Sequence, residues 1–251
     1  MNICPCIDTI YKGVDLTTAL NEIKSLGYRG FEFWHTEGKD LELMKSLMDS
    51  LELSLVNFDA REVPLTQPER RKDFIEGVEE AMALAKELRS SHVTVLSGDD
   101  TGQSRQVQHE SVVAGLKAAA HLAEANGVTI VIEASNSRVN RPHNYLTGAD
   151  EAFQIIDEVG SPAVRMLYDI YHQQISEGDL LSRIIPNIEK IGHFHAAGVP
   201  NRHELDECEI NYDFVLRRIA ETSYDQWVGL EYFPAREPYD GLNRLKAYFE
   251  L

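Results

Sequence analysis

VTIVIEASNS, residues 128–137, is a run of mostly β-branched aliphatics that ends in a carboxylate, Glu133, and then in small polar residues. A run this short and this apolar reads as a parallel strand buried on both faces. The pattern returns three times toward the C-terminus: VRMLYDIYH (164–172) reaches Asp169, IGHFHAAG (191–198) reaches His195, and VGLEYF (228–233) reaches Glu231. Working back toward the N-terminus, similar runs lie at Ile3–Ile7, Gly30–Trp34, Leu53–Phe58 and His92–Ser97. With Val128–Glu133, Val164–Asp169, Ile191–His195 and Trp227–Tyr232 they make eight predicted strands.

Helical spacing fills the intervals. Asp15 is placed to cap a helix whose apolar positions Leu16, Leu20, Ile23 and Leu26 recur every three or four residues, with Gly27 at its stop. From about 68 to 88, Phe74, Ile75, Val78, Ala81, Met82 and Ala85 share one face. Thr147 is expected to cap a helix through Phe153, Ile155, Ile156 and Val159, ended by Gly160 and Pro162. A last helix is expected from about Gly241 to the chain end. Strand and helix alternate throughout with no Gly/Ser-rich linker, which predicts one α/β domain over 1–251, a (β/α)8 TIM barrel. The alternative is an open doubly wound sheet, but no Gly-rich phosphate loop follows the first strand.

The chain has 251 residues, an ordinary length for one such barrel, and 43% hydrophobic against 26% charged residues suits a soluble globular core. Its 41 acidic residues against 24 Lys and Arg give a net charge of −17, which argues against duplex nucleic acid or an anionic membrane as a partner. MNICPCIDTI at the start has no signal-peptide pattern, and no stretch is apolar enough to span a bilayer. Three cysteines make no disulfide framework and suit a reducing compartment, so a cytoplasmic protein is expected. Cys4 and Cys6, of equal parity on the first strand, read as buried core thiols.

In a barrel of this kind chemistry sits at the C-terminal ends of the strands. Four consecutive strands there deliver Glu133, Asp169, His195 and Glu231 to one rim. Neighbouring strands lie about 4.8 Å apart, so inward-pointing tips around half a narrow barrel converge. Three carboxylates gathered there repel one another unless a cation neutralises them. Carboxylates with one imidazole and no thiolate suit one divalent ion of the Mn²⁺, Mg²⁺ or Co²⁺ type.

The segments GFEFW (30–34), VIEASNSR (131–138), YDIYHQQISEGDL (168–180), IGHFHAAGVPNRHEL (191–205), EINY (209–212) and VGLEYFP (228–234) resemble the xylose isomerase-like barrel superfamily, and most closely its hydroxypyruvate isomerase branch. The resemblance implies a divalent metal on Glu133, Asp169, His195 and Glu231. It makes Glu133 and Glu231 the acid/base pair of an aldose–ketose interconversion through a cis-enediolate. His172 would reach the oxygen atoms of a small hydroxy-keto acid or sugar, and Arg202 its distal end. Hydroxypyruvate isomerases often carry Gln where this chain has His195. His is usual there in ketose 3-epimerases and in inosose or dehydroshikimate dehydratases, so those reactions stand as alternatives.

A proton α to a carbonyl is weakly acidic, and a metal on the adjacent oxygens stabilises the charge its removal creates. One carboxylate takes that proton and it or its partner returns one to the neighbouring carbon. The planar fork of Arg202 matches a substrate carboxylate, its other reading being a loop arginine paired to Glu204 or Glu207. Trp34 is read either as a wall of the pocket or as packing under a loop. Asn136 and Arg138 lie on the rim that would touch substrate. Glu32, between Phe31 and Phe33, is read as a buried polar group in the barrel or a partner of a rim residue. A related abasic-site endonuclease family would need more histidine ligands and a basic rim. A non-catalytic sugar-acid-binding barrel is the reading outside enzymes, and self-association into a homo-oligomer is left open.

Overall fold

The computed structural model describes residues 1–248. Its parallel strands are β1 (Asn2–Pro5), β2 (Gly30–Phe31), β3 (Ser54–Leu55), β4 (His92–Leu96), β5 (Thr129–Glu133), β6 (Val164–Asp169), β7 (Ile191–Ala196) and β8 (Trp227–Leu230). Six of them hydrogen-bond in the order β1-β8-β7-β6-β5-β4, and β2 pairs with β3. The ring closes at two seams. Ile7 donates to the Glu32 carbonyl at 2.9 Å and Glu32 to the Pro5 carbonyl at 3.0 Å, joining β1 to β2. His92 donates to Val56 at 3.0 Å and Thr94 to Phe58 at 2.9 Å, joining β3 to β4. The result is the predicted TIM barrel.

The strands at these seams are shorter than the sequence implies. Ile7 belongs to a one-turn helix, α1 (Ile7–Ile10), because the chain must turn outward once its amide is bonded to Glu32. Just after β3 the Val56 carbonyl accepts from two side chains, Ser90 Oγ and Ser91 Oγ, besides the His92 amide.

The helices pack outside. Asp15 caps α2 (Leu16–Ser25) through the Thr18 amide at 2.9 Å, as its spacing foretold. α3 (Leu41–Leu51) and α4 (Arg71–Leu88) follow, the latter burying Phe74, Val78, Ala81, Met82 and Ala85. Then come α5 (Arg105–Asn126) and α6 (Ala149–Val159). Thr147 is not the cap of α6: Gly148 occupies that position without a side-chain bond. The Glu177 carboxylate from a neighbouring loop instead accepts the Ala149 amide at 3.2 Å, a tertiary contact that local spacing does not encode. The remaining helices are α7 (Ile170–Ser176), α8 (Leu180–Ile184), α9 (Tyr212–Ala220) and α10 (Pro238–Leu245). The expected C-terminal helix thus begins three residues early, its Pro at the first position where no amide is needed, and its predicted end at 249–251 lies outside the described residues. Among the described residues no helix is long and apolar enough to cross a membrane.

The barrel interior carries buried polar side chains, Glu32, His92 and His193 among them. β7 hydrogen-bonds to β6 and β8, yet its His193 contacts Glu32 after β2 and lies tilted beside His92 of β4, with ring centroids 5.7 Å apart. Those contacts join strands that are not neighbours in the sheet, so they run through the centre. Cys4 and Cys6 are fully buried there, and burial followed by the charge of Glu32 pushes both thiols up.

Candidate active site

Glu133 is the last residue of β5, Asp169 the last of β6, His195 lies on β7, and Glu231 directly follows β8. The register pairs Asp169 with His195 and His195 with Gly229. One donor atom from each of the four side chains lies within 4.8 Å of all the others. The convergence expected from the strand ends is thus a geometric fact.

Local chemistry divides the work of each carboxylate. Asp169 also caps α7: its Oδ1 accepts the Tyr171 amide at 2.8 Å and the His172 amide at 3.2 Å, leaving Oδ2 to face the cluster. Glu133 Oε2 accepts from Ser135 Oγ at 3.1 Å. Glu231 Oε1 accepts the indole N–H of Trp34, and its Oε2 meets Arg202 and, at 3.1 Å, His195 Nδ1. Burial raises the Glu133 carboxyl, as do Glu231 and Asp169 beside it, with His172 opposing. Burial would raise Glu231 too, but Arg202 and His195 hold it well below the ordinary range. Two carboxyl groups of opposed proton affinity therefore lie close together.

The donors fit a divalent cation. All four side chains are buried, three are carboxylates, and neither ring nitrogen of His195 makes a well-aligned hydrogen bond. Such an oxygen-rich set with one imidazole is suited to Mn²⁺, Mg²⁺ or Co²⁺ rather than to a thiolate-preferring site.

The cavity above the cluster has a volume of about 340 Å³, the size for a small polar molecule. Trp34, His172 and Arg202 line it. Trp34 is a wall of the pocket, edge-on to Phe233 with centroids 6.2 Å apart. His172 Nε2 lies 3.5 Å from Asp169 and 3.8 Å from Glu133. Asn136 is fully buried behind it, donating to His172 Nδ1 at 2.6 Å through its side chain, and is not part of the cavity lining. Arg202 is not paired to Glu204 or Glu207; Arg236 holds Asp206 and Glu207 instead, while Arg202 turns inward to Glu231 and Asp169.

Asp59 and Arg141 were not singled out from the sequence, and Glu32 was read there as a buried polar group or a partner of a rim residue, as it proves to be. Asp59 lines the cavity from beyond β3, its carboxyl raised by burial and then by Glu231 and Glu133. Arg141 stands at the mouth, 3.2 Å from Glu62. Glu32 lies beneath the cluster, 3.2 Å from His195. Parity along GFEFW was the only signal for Glu32, and nothing in the loops marked the other two.

A closed parallel barrel with three carboxylates and an imidazole at its C-terminal rim defines a class, and the comparisons agree with it. Residues 20–248 match the xylose isomerase-like TIM barrel family, and the chain belongs to that family. It is 31% identical to hydroxypyruvate isomerase of Escherichia coli (strain K12), with 96% of this chain and 97% of that protein covered. It is 34% identical to 2-oxo-tetronate isomerase of Cupriavidus necator, over 72% of this chain and 70% of that one. Among solved structures, a Brucella melitensis protein described as AP endonuclease, family 2 superposes with a TM-score of 0.92 at 26% identity, covering 98% of both chains.

Proposed function

We propose that the protein is a divalent-metal-dependent isomerase of a small hydroxy-keto acid. The observation that carries this reading is the meeting of Glu133, Asp169, His195 and Glu231 within 4.8 Å, beneath a cavity of small-molecule size. The names of the two curated relatives, hydroxypyruvate isomerase and 2-oxo-tetronate isomerase, supply the substrate class.

A bound divalent ion on those four residues supplies Lewis-acid stabilisation of the charge that develops on the substrate's carbonyl and hydroxyl oxygens. The protein's own groups do the rest. Glu231, held ionised by Arg202, His195 and the Trp34 indole, is the base that takes the proton from the substrate carbon. Glu231, now carrying that proton, or Glu133 beside it returns one to the neighbouring carbon. Between the two transfers the substrate is a cis-enediolate. His172, fixed through Nδ1 by Asn136, points Nε2 toward Asp169 and Glu133, where the substrate oxygens would lie. Arg202 and Arg141 are the cations of the cavity that match a substrate carboxylate.

The second reading is epimerisation of a ketose or dehydration of an inosose-type substrate on the same residues. His195 favours it, because the resemblance places His there in those branches. The test is a screen in D₂O with protein loaded with Mn²⁺, Mg²⁺ or Co²⁺, offered hydroxypyruvate, 2-oxo-tetronate, ketoses and inosose, and followed by NMR. Deuterium entering carbon of hydroxypyruvate or 2-oxo-tetronate without loss of water supports the isomerase. Exchange on a ketose alone points to epimerisation, loss of water points to a dehydratase, and no exchange with any substrate leaves a sugar-acid-binding barrel.

A further inference from the structure

Glu32 is a carboxylate in the centre of the barrel, 1% exposed. A charge there costs several kcal/mol unless it is paired. Its Oε2 accepts from His193 Nε2 at 2.8 Å and from the Cys4 thiol at 3.7 Å. Its Oε1 has no well-aligned partner among the described residues, and it stands 3.2 Å from His195 Nε2, which has none either. The two buried atoms therefore stand in ion-pair range of each other, with no other partner for either. The other ring nitrogen of His195, Nδ1, faces Glu231 at 3.1 Å.

Space is made for this contact on purpose. His195 is paired in register with Gly229, and a Cβ on residue 229 would overlap Glu32 Oε1 and lie 2.7 Å from His195 Cδ2. Only glycine lets Glu32 and the His195 ring meet there.

We propose that Glu32 is a positioning residue for the candidate metal centre: anchored by His193, it holds the His195 ring with Nε2–H turned into the barrel and Nδ1 presented to Glu231 and a metal ion. Neither the catalytic assignment nor the four-residue ligand set includes it. A carboxylate behind a metal-bound histidine fixes the ring's tautomer and orientation and strengthens the ligand. The proposal rests on the metal reading given above.

Glu32→Gln tests it. With Nε2–H on both rings, as the proposal requires, His193 and His195 each turn a donor to Glu32, and an amide presents one acceptor and one donor, so one of the two histidines must surrender its contact. Mn²⁺ affinity of the full chain, measured by calorimetric titration, is expected to fall ten- to hundredfold in a variant that remains folded by circular dichroism. A merely structural Glu32 would lower the melting temperature and leave the Mn²⁺ Kd of the folded variant within twofold of the parent, and that result overturns the proposal. A parent that itself binds no divalent ion overturns the metal reading and this inference with it, so the two failures are told apart by the parent titration. A second measurement needs no variant. In ¹⁵N-histidine-labelled, Zn²⁺-loaded parent, His195 should show a proton-coupled Nε2 and a bare Nδ1; the opposite tautomer overturns the proposal even if Glu32→Gln does not fold.

Discussion

Arg202, carried on the loop after β7, passes over Glu204 two residues away and pairs instead with Glu231 at the end of neighbouring β8, 11% of its side chain exposed. It also stands 3.4 Å from Asp169. In this arrangement the guanidinium offsets the negative charge of the same oxygens that the divalent ion would bind.

Replacing Arg202 with Met leaves Glu231 and Asp169 with an uncompensated charge in a buried setting. The metal-free protein is expected to lose about 3–5 kcal/mol of stability at neutral pH. Mn²⁺ supplies the missing positive charge, so saturating Mn²⁺ should raise the melting temperature of Arg202→Met more than that of the parent. Differential scanning fluorimetry with and without metal checks this. Equal shifts in the two proteins would mean that Arg202 and the ion do not share Glu231.

Glu133→Gln and Glu231→Gln remove one proton-transfer group each and keep the shape of the side chain. Turnover of the responding substrate should fall by about 10²–10⁴-fold in each. Circular dichroism checks the fold of each variant, Glu231→Gln being the costlier because it weakens the buried pair with Arg202. Activity near the parent level in either would remove that residue from the acid/base pair.

The barrel and its four convergent residues were legible because both are written locally. An aliphatic run such as VTIVIE fixes a buried strand, and the first polar residue at its C-terminal end, Glu133, falls on the rim by the rule of the fold. Asp169, His195 and Glu231 follow the same logic. What stayed hidden depends on contacts between distant segments. Thr147 and Gly148 compete for the start of α6, and the outcome is decided by Glu177 reaching over from another loop. Asn136, next to the rim in sequence, points back to hold His172 rather than out to the cavity, because the α7 cap at Asp169 swings that ring across to it. Glu32 alternates correctly with Phe31 and Phe33, but alternation says only that a side chain points inward, not that two histidines of β7 wait for it there.

Gly229→Ala places a methyl group against Glu32 and the His195 ring, so one of them must shift. Overpacking of this kind costs about 1–3 kcal/mol. The variant should be less stable to urea and, because the ring moves, should bind Mn²⁺ more weakly even though all four ligand residues remain. Unchanged affinity would show that the ligand set tolerates displacement of His195.

His92 gives the fold an acid limb that is separable from the site. It is buried in the barrel, its Nδ1 lies 2.8 Å from Ser91 Oγ, and burial, followed by the nearby His193, pushes its pKa down to about 3. An unfolded chain binds that proton near pH 6.5. Between pH 6.5 and 3 the unfolded state therefore holds more protons than the folded one, and stability is lost as pH falls through that window. Two pH units below 6.5 the loss from this one group is roughly 2–3 kcal/mol. In His92→Asn, which does not titrate, the drop in unfolding free energy between pH 7.5 and 4.5 should shrink by about that amount relative to the parent, as measured by urea denaturation at the two pH values. An identical drop in both proteins would mean that His92 takes up its proton as readily inside the barrel as in the unfolded chain.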